Sequence, residues 1–98
     1  MAHYEWDEDK NAENVATRGI SFERAKEIDA TTALITEDDR KDYGEPRFVV
    51  RGLIDERLYI LVFTWRNGTK RVISLRKANL RERRRYVEDT GRPLGNTR

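Results

Sequence analysis

The residues able to do chemistry in this chain are cations set among aromatic rings. Arg71, Arg76, Lys77, Arg81, Arg83, Arg84 and Arg85 crowd into a short stretch, with Tyr59 and Trp65 before it and Tyr86 at its end. Exposed rings stack unpaired bases and Arg or Lys grips phosphates, so this mixture suits single-stranded RNA better than duplex DNA. A charged helix face can equally be plain solvated surface, with Arg stems covering apolar neighbours, and both readings stand on the residues alone. Other chemistries find no support. There is no Gly-rich phosphate loop, no Ser/His/Asp set and no metal-ligand spacing of histidines. The single histidine, His3, lies near the start of the chain, which excludes a two-histidine ribonuclease.

The elements that must position these side chains centre on Asn67-Gly68. That pair is a strong signal for a two-residue hairpin turn, because both central residues of a type I′ turn need positive φ. A strand over 58–66 then pairs antiparallel with 69–77, Arg66 opposite Thr69. Continued without interruption, this register sets Ile60 against Leu75 and Val62 against Ile73 on an aliphatic core face. It sets Tyr59 with Arg76, Leu61 with Ser74, Phe63 with Val72 and Trp65 with Lys70 on a face left free for function. Asn79 caps a last helix with Glu82 at the reciprocal capping-box position, and Thr90-Gly91 ends it. Leu80, the Arg83 stem and Val87 line its packed side.

Upstream, Tyr4-Glu5-Trp6 reads as an edge strand or an irregular lead-in. Asp7 caps a helix near 8–18 with an apolar stripe of Ala12, Val15 and Ala16, stopped at Gly19. Ser21 caps a second helix near 22–29 that buries Phe22, Ala25 and Ile28. Thr31–Thr36 and Arg47–Ile54 read as strands around the acidic loop Glu37–Asp42, whose spacing does not fit an EF-hand. The turn near Asp55-Glu56-Arg57 could hold two or three residues, which leaves the register of strand 47–54 open. The expectation is an α+β fold: N-terminal helices on an antiparallel sheet of about four strands, then a basic C-terminal helix. Residues 1–90 form one domain and 91–98 a flexible tail.

With 37% hydrophobic and 39% charged residues, the core is small and the surface ionic. The net charge of +2 hides an asymmetry: residues 1–45 carry 6 Lys and Arg against 13 Asp and Glu, and residues 46–98 carry 14 against 5. A basic half of that kind attracts polyanions, unless the acidic half neutralises it within the fold. The absence of cysteine excludes disulfides and thiolate metal sites and suits a reducing compartment. No apolar run reaches membrane-spanning length, and the acidic opening is unlike a signal peptide, so a cytoplasmic protein is expected.

Several motifs together resemble the BrnT family, the ribonuclease toxins of BrnT/BrnA type II toxin–antitoxin pairs. They are Glu5-Trp6-Asp7-Glu8 with Lys10, Asn11 and Asn14; Gly19-Ile20-Ser21-Phe22-Glu23 with Ala25; Gly44-Glu45-Pro46-Arg47-Phe48 with Gly52; and the block from Arg71 to Tyr86. The resemblance runs from about Tyr4 to Tyr86. It implies a RelE-like fold whose open sheet face and last helix bind RNA, and RNA cleavage without metal or other cofactor that inhibits translation. It also implies a bacterial ribbon-helix-helix antitoxin of BrnA type, through which alone operator DNA is bound. The family usually has histidine where this chain has Arg18, and a guanidinium does not carry protons near neutrality.

On that reading the catalytic candidates are Arg76, Arg71 and Arg18 as charge stabilisers, and Glu82, Glu23 or Lys10 as base. Tyr86 is a proton donor or stacking ring, and Glu82 is also accounted for as a helix cap. Lys77, Arg81, Arg83, Tyr59 and Trp65 are the RNA-binding candidates. The competing expectation is a catalytically weak or inactive toxin-like protein that acts through antitoxin and operator-DNA complexes.

Overall fold

The computed structural model describes residues 3–94. The elements are β1 (Tyr4–Trp6), α1 (Glu8–Arg18), 3-10 segments at Phe22–Glu27 and Ala30–Thr32, β2 (Leu34–Asp38), β3 (Arg47–Ile54), β4 (Arg57–Arg66), β5 (Thr69–Lys77) and α2 (Leu80–Thr90). They build an α+β fold on one sheet of five strands, ordered β1-β5-β4-β3-β2. The sheet is mixed, where an antiparallel one of about four strands was expected. The lead-in Tyr4–Trp6 is the extra strand, parallel to β5 with Glu5 beside Arg71. Among the described residues, no helix is long and apolar enough to cross a membrane.

Two tight turns drive the meander. Asn67 and Gly68 both take positive φ, as their types invite. Asp55 and Glu56 do the same and pair Ile54 with Arg57, a two-residue turn that resolves the register left open for β3. Near the Asn67-Gly68 turn the expected pairs hold: Arg66 with Thr69, Trp65 with Lys70 and Phe63 with Val72. The next pair is Val62 with Ser74, so Ile73 is an unpaired extra residue, a β-bulge. Beyond it the expected register fails. Leu61 faces Leu75, Ile60 faces Arg76 and Tyr59 faces Lys77.

The core lies on the Tyr59–Phe63 side of β4, opposite to the expected one, and the bulge brings Leu75 of β5 onto it. Tyr59, Leu61, Phe63, Val72 and Leu75 are buried with Val50, Ile54, Ile20, Phe22 and Ala25. The expected core face of Ile60, Val62, Ile73 and Leu75 is thus split: Leu75 joins this core, and Ile60 and Val62 lie on the opposite face. The segment Phe22–Glu27 covers the core as a 3-10 helix, where an α-helix to 29 was expected; Phe22 and Ala25 are buried and Ile28 packs beside them. Gly52 permits this close approach, since a Cβ there would lie 2.5 Å from Ile28 Cγ2. The strand expected from Thr31 starts only at Leu34, after a turn at Ala30–Thr32 capped by the Asp29 side chain.

α1 packs by its polar side, against expectation. Ala12 and Ala16 are exposed and Val15 is 44% exposed. Asn14 is buried instead, and its Nδ2 donates to the carbonyls of Ile20 and Leu75, both at 2.9 Å. Asn11 accepts from the Phe22 amide at 2.8 Å. The physical reason is that β1 covers only Lys70–Val72 of β5. The rest of the β5 edge needs donors, which an apolar stripe cannot supply.

α2 crosses one end of the second sheet face. Tyr86 and Leu94 bury Leu58 there, with Leu34, Leu53, Ala78 and Val87 packed around them. The predicted capping box is present between Asn79 and Glu82, and Gly91 ends the helix in a left-handed conformation. Of the expected tail, Gly91 to Leu94 are described and Leu94 is buried; residues 95–98 lie outside the described residues.

Candidate active site

The part of the second face that α2 leaves uncovered is a groove of about 460 Å³. Its floor is Val49, Ile60 and Val62; one wall is the α2 stripe Glu82, Arg85 and Asp89, and the other is Thr36 to Arg40. Arg51 and Arg76 project between them because Arg51 pairs with Ile60 across β3 and β4, and Ile60 with Arg76 across β4 and β5.

Arg76 is held at the groove by the start of α2. Its Nη1 donates to Glu82 Oε1 at 2.7 Å and its Nη2 to Oε2 at 2.8 Å, a bidentate fork. Glu82 Oε1 also accepts from the Asn79 amide at 2.9 Å, so one carboxylate caps α2 and aims the arginine. The hydrogen bond from Arg76 holds the Glu82 carboxyl below its ordinary range, and the same bond raises Arg76. The other groove cations are also carboxylate-bound. Arg51 lies 3.0 Å and Arg85 3.1 Å from Asp89, whose pKa they lower, Arg51 foremost. Arg40 holds Asp38 at 2.8 Å and pushes its pKa far down.

The sequence-predicted residues divide. Arg76 and Glu82 meet as partners. Arg71 emerges beside the β1 edge, where its Nη1 donates to Glu5 Oε2 at 2.8 Å and so ties β1 to β5. Lys10 and Arg18 line a separate cleft of about 240 Å³ between α1 and β5, with Glu13, Asn14, Thr17, Phe22, Ile73 and Ser74. Glu23 is exposed on the 3-10 segment covering the core face, 3.5 Å from Lys26, away from both.

Two aromatic candidates are corrected. Tyr86 is 0% exposed and its hydroxyl donates to the Thr32 carbonyl, so it is placed neither to give RNA a proton nor to stack a base. Tyr59 is 3% exposed within the core, its hydroxyl accepting from Arg24 Nη1 at 3.1 Å. The expected choice of core face had left that ring on the free side of the sheet. Trp65 is 51% exposed, but on the Phe63 side of the sheet, opposite the groove, with the Lys70 ammonium 5.6 Å from its ring. Lys77 and Arg81 are exposed outside the groove, and Arg83 is half-buried with a buried Nε that has no hydrogen-bond partner among the described residues.

Sequence reasoning missed Arg51, Asp89 and the Asp38–Arg40 pair. The 3- and 4-residue spacing of Glu82, Arg85 and Asp89 was the signal that would have joined them on one helical stripe. Arg51 was hidden by the open register of β3. Among the described residues, no three His, Cys, Asp or Glu converge as metal ligands.

The family described as "Ribonuclease toxin, BrnT, of type II toxin-antitoxin system" matches residues 6–82. The fold is similar to the crystal structure of the Brucella abortus ribonuclease toxin BrnT, with a TM-score of 0.64 and 20% identity over 81% of this chain and 99% of that one. No curated protein matches the sequence.

Proposed function

This chain belongs to the BrnT family of type II toxin–antitoxin ribonuclease toxins, and from that premise we propose that it is itself an RNA endonuclease centred on Arg76. The observation that carries this reading is the Arg76–Glu82 fork, a guanidinium preorganised at an open, strand-floored groove. In the reaction the ribose 2′-oxygen attacks the adjacent phosphorus in line. The O2′–P bond forms, the P–O5′ bond breaks, the 2′-proton leaves and O5′ takes one up. Charge gathers on the non-bridging oxygens, and Arg76 stabilises it. Glu82 is the positioning residue: its depressed pKa makes it a poor base, and its two oxygens are committed to Arg76 and Asn79. Protons then move to and from water, and turnover is modest.

The finer parts of the reading go with this proposal. The fold is RelE-like, cleavage needs no metal and takes place in the cytoplasm, and translation is the process inhibited. The partner is a ribbon-helix-helix antitoxin that covers the groove and alone contacts operator DNA. Support lies in the groove's lining of both signs, Glu37, Asp38, Asp39, Glu82 and Asp89 with Arg40, Arg51, Arg76 and Arg85, which a partner carrying both signs can fill. The test is cleavage of a defined RNA with and without EDTA. Wild type cleaves in both, and Arg76→Ala, folded by circular dichroism, loses about 10²–10³ in rate, as loss of one preorganised donor does. Wild-type-like cleavage by Arg76→Ala refutes the assignment.

One observation favours the second reading, a binding protein without effective catalysis: Tyr86 is buried and every guanidinium lining the groove is carboxylate-bound. RNA left intact by wild type that still binds its antitoxin would establish it.

A further inference from the structure

Lys10, Asn14 and Arg18 follow one another at intervals of four, so they share one face of α1. That face lines the cleft against the β5 bulge at Ile73-Ser74. The cleft differs from the groove in how its cations are held. Arg18 has one hydrogen bond, Nη1 to Asn14 Oδ1 at 3.2 Å, and pairs with no carboxylate among the described residues; Lys10 has no side-chain partner among them. Glu13 shares the cleft without pairing to either. Two cations without an ion-pair partner among the described residues, lining one cleft with a serine beside a bulge, offer the donors an anion needs. Asn14 fixes the arrangement, because its buried carboxamide ties this turn of α1 to the Leu75 carbonyl of β5.

The bulge also gives the cleft its relation to Arg76. Ser74 and Arg76 are alternate residues of β5 and lie on the same side of the strand, opposite Val62 and Ile60. They stand about 6.6 Å apart along it, from a rise of about 3.3 Å per residue. Without the extra residue Ile73, an unbroken register would tie this pair to the other face of β4. We propose that the cleft is a second phosphate site, in which Lys10, Arg18 and the Ser74 hydroxyl hold a phosphodiester of the RNA strand next to the one at Arg76.

The assignment rests on the RNA reading above, and the test separates the two. A fluorescent oligoribonucleotide carrying 2′-O-methyl groups lacks the attacking hydroxyl, so its binding is measured by anisotropy across a salt series without turnover. Lys10→Ala with Arg18→Ala weakens binding about tenfold and lowers the slope of log affinity against log salt by about 0.7, one phosphate's worth on a single strand. Lys10→Ala alone, which breaks no hydrogen bond, weakens binding in the same direction. Arg57→Ala removes a charge at the remote β3–β4 turn and leaves the slope unchanged. On a cleavable RNA of the same sequence, the double variant raises KM and leaves kcat close to wild type.

A double variant with wild-type affinity and slope overturns the phosphate site, whether or not wild type cleaves RNA. Equal loss of slope in Arg57→Ala overturns it too, because the effect would then be net charge. Wild type that binds no RNA overturns both this site and the reading it rests on.

Discussion

Replacing Glu82 by Gln keeps size, shape and the capping box, because Gln serves at that helix position as well as Glu. What changes is the bond to Arg76. The carboxamide keeps one acceptor oxygen and turns an NH2 toward Arg76 Nη2, so one bond of the fork is lost and the other loses its negative acceptor. A hydrogen bond to a charged group is worth about 1.5–3 kcal/mol and an ordinary one about 0.5–1.5. The difference of about 1–1.5 kcal/mol loosens the guanidinium, and at about 1.4 kcal/mol per factor of ten it lowers cleavage roughly tenfold. A general base removed from the same position would instead cost about 10²–10⁴. The assay is kcat/KM on a defined RNA between pH 5 and 8. Glu82→Gln should fall about tenfold with an unchanged pH profile. Stability gives a second readout, with its sign set by the pKa. Glu82 is lowered from its ordinary value of 4.5, foremost by the Arg76 hydrogen bond. Its contribution is therefore present above 4.5 and lost as pH falls through the lower folded-state value. The melting advantage of wild type over Glu82→Gln should be full at pH 6 and shrink below pH 4.5. The pair is partly exposed, so that advantage is about 1 kcal/mol at most. A loss of about 10² or more in rate, or loss of an acidic limb from the pH profile, would show that Glu82 is the base and refute its positioning role.

Asn14→Asp replaces the donor to two carbonyls with an acceptor; each unsatisfied buried partner costs about 1–3 kcal/mol, so melting should fall by at least about 8 °C. A shift under 2 °C would show that α1 does not dock through Asn14. Tyr86→Phe should destabilise by about 1–3 kcal/mol in urea titration through the orphaned Thr32 carbonyl, and folded enzyme should cleave at the wild-type rate; a hundredfold slower folded variant would restore Tyr86 to the chemistry.

Where local chemistry dictates local structure, the sequence was sufficient. Asn67-Gly68 needs positive φ at both positions and makes the hairpin; Asn79 with Glu82 satisfies the free amides at a helix start; Ser21 and Asp7 cap as their side chains allow. Arg76 and Glu82 could be named from their types and neighbourhood, though not as partners. Face and register needed the tertiary structure. Ile73 looks like any β-branched strand residue, yet as an unpaired bulge it moves Leu75 into the core and sets Arg76 beside Ile60. The core itself took the Tyr59–Phe63 side of β4, opposite to the expected one, because Phe22 and Ala25 pack there. The helical pattern of α1 favoured Ala12, Val15 and Ala16 as the packed side, but the unpaired β5 edge demanded the Asn14 carboxamide. A period of two or of 3.6 says which residues share a face. Which face is covered depends on where the backbone of another element still lacks hydrogen bonds, and that partner lies 61 residues away in the chain.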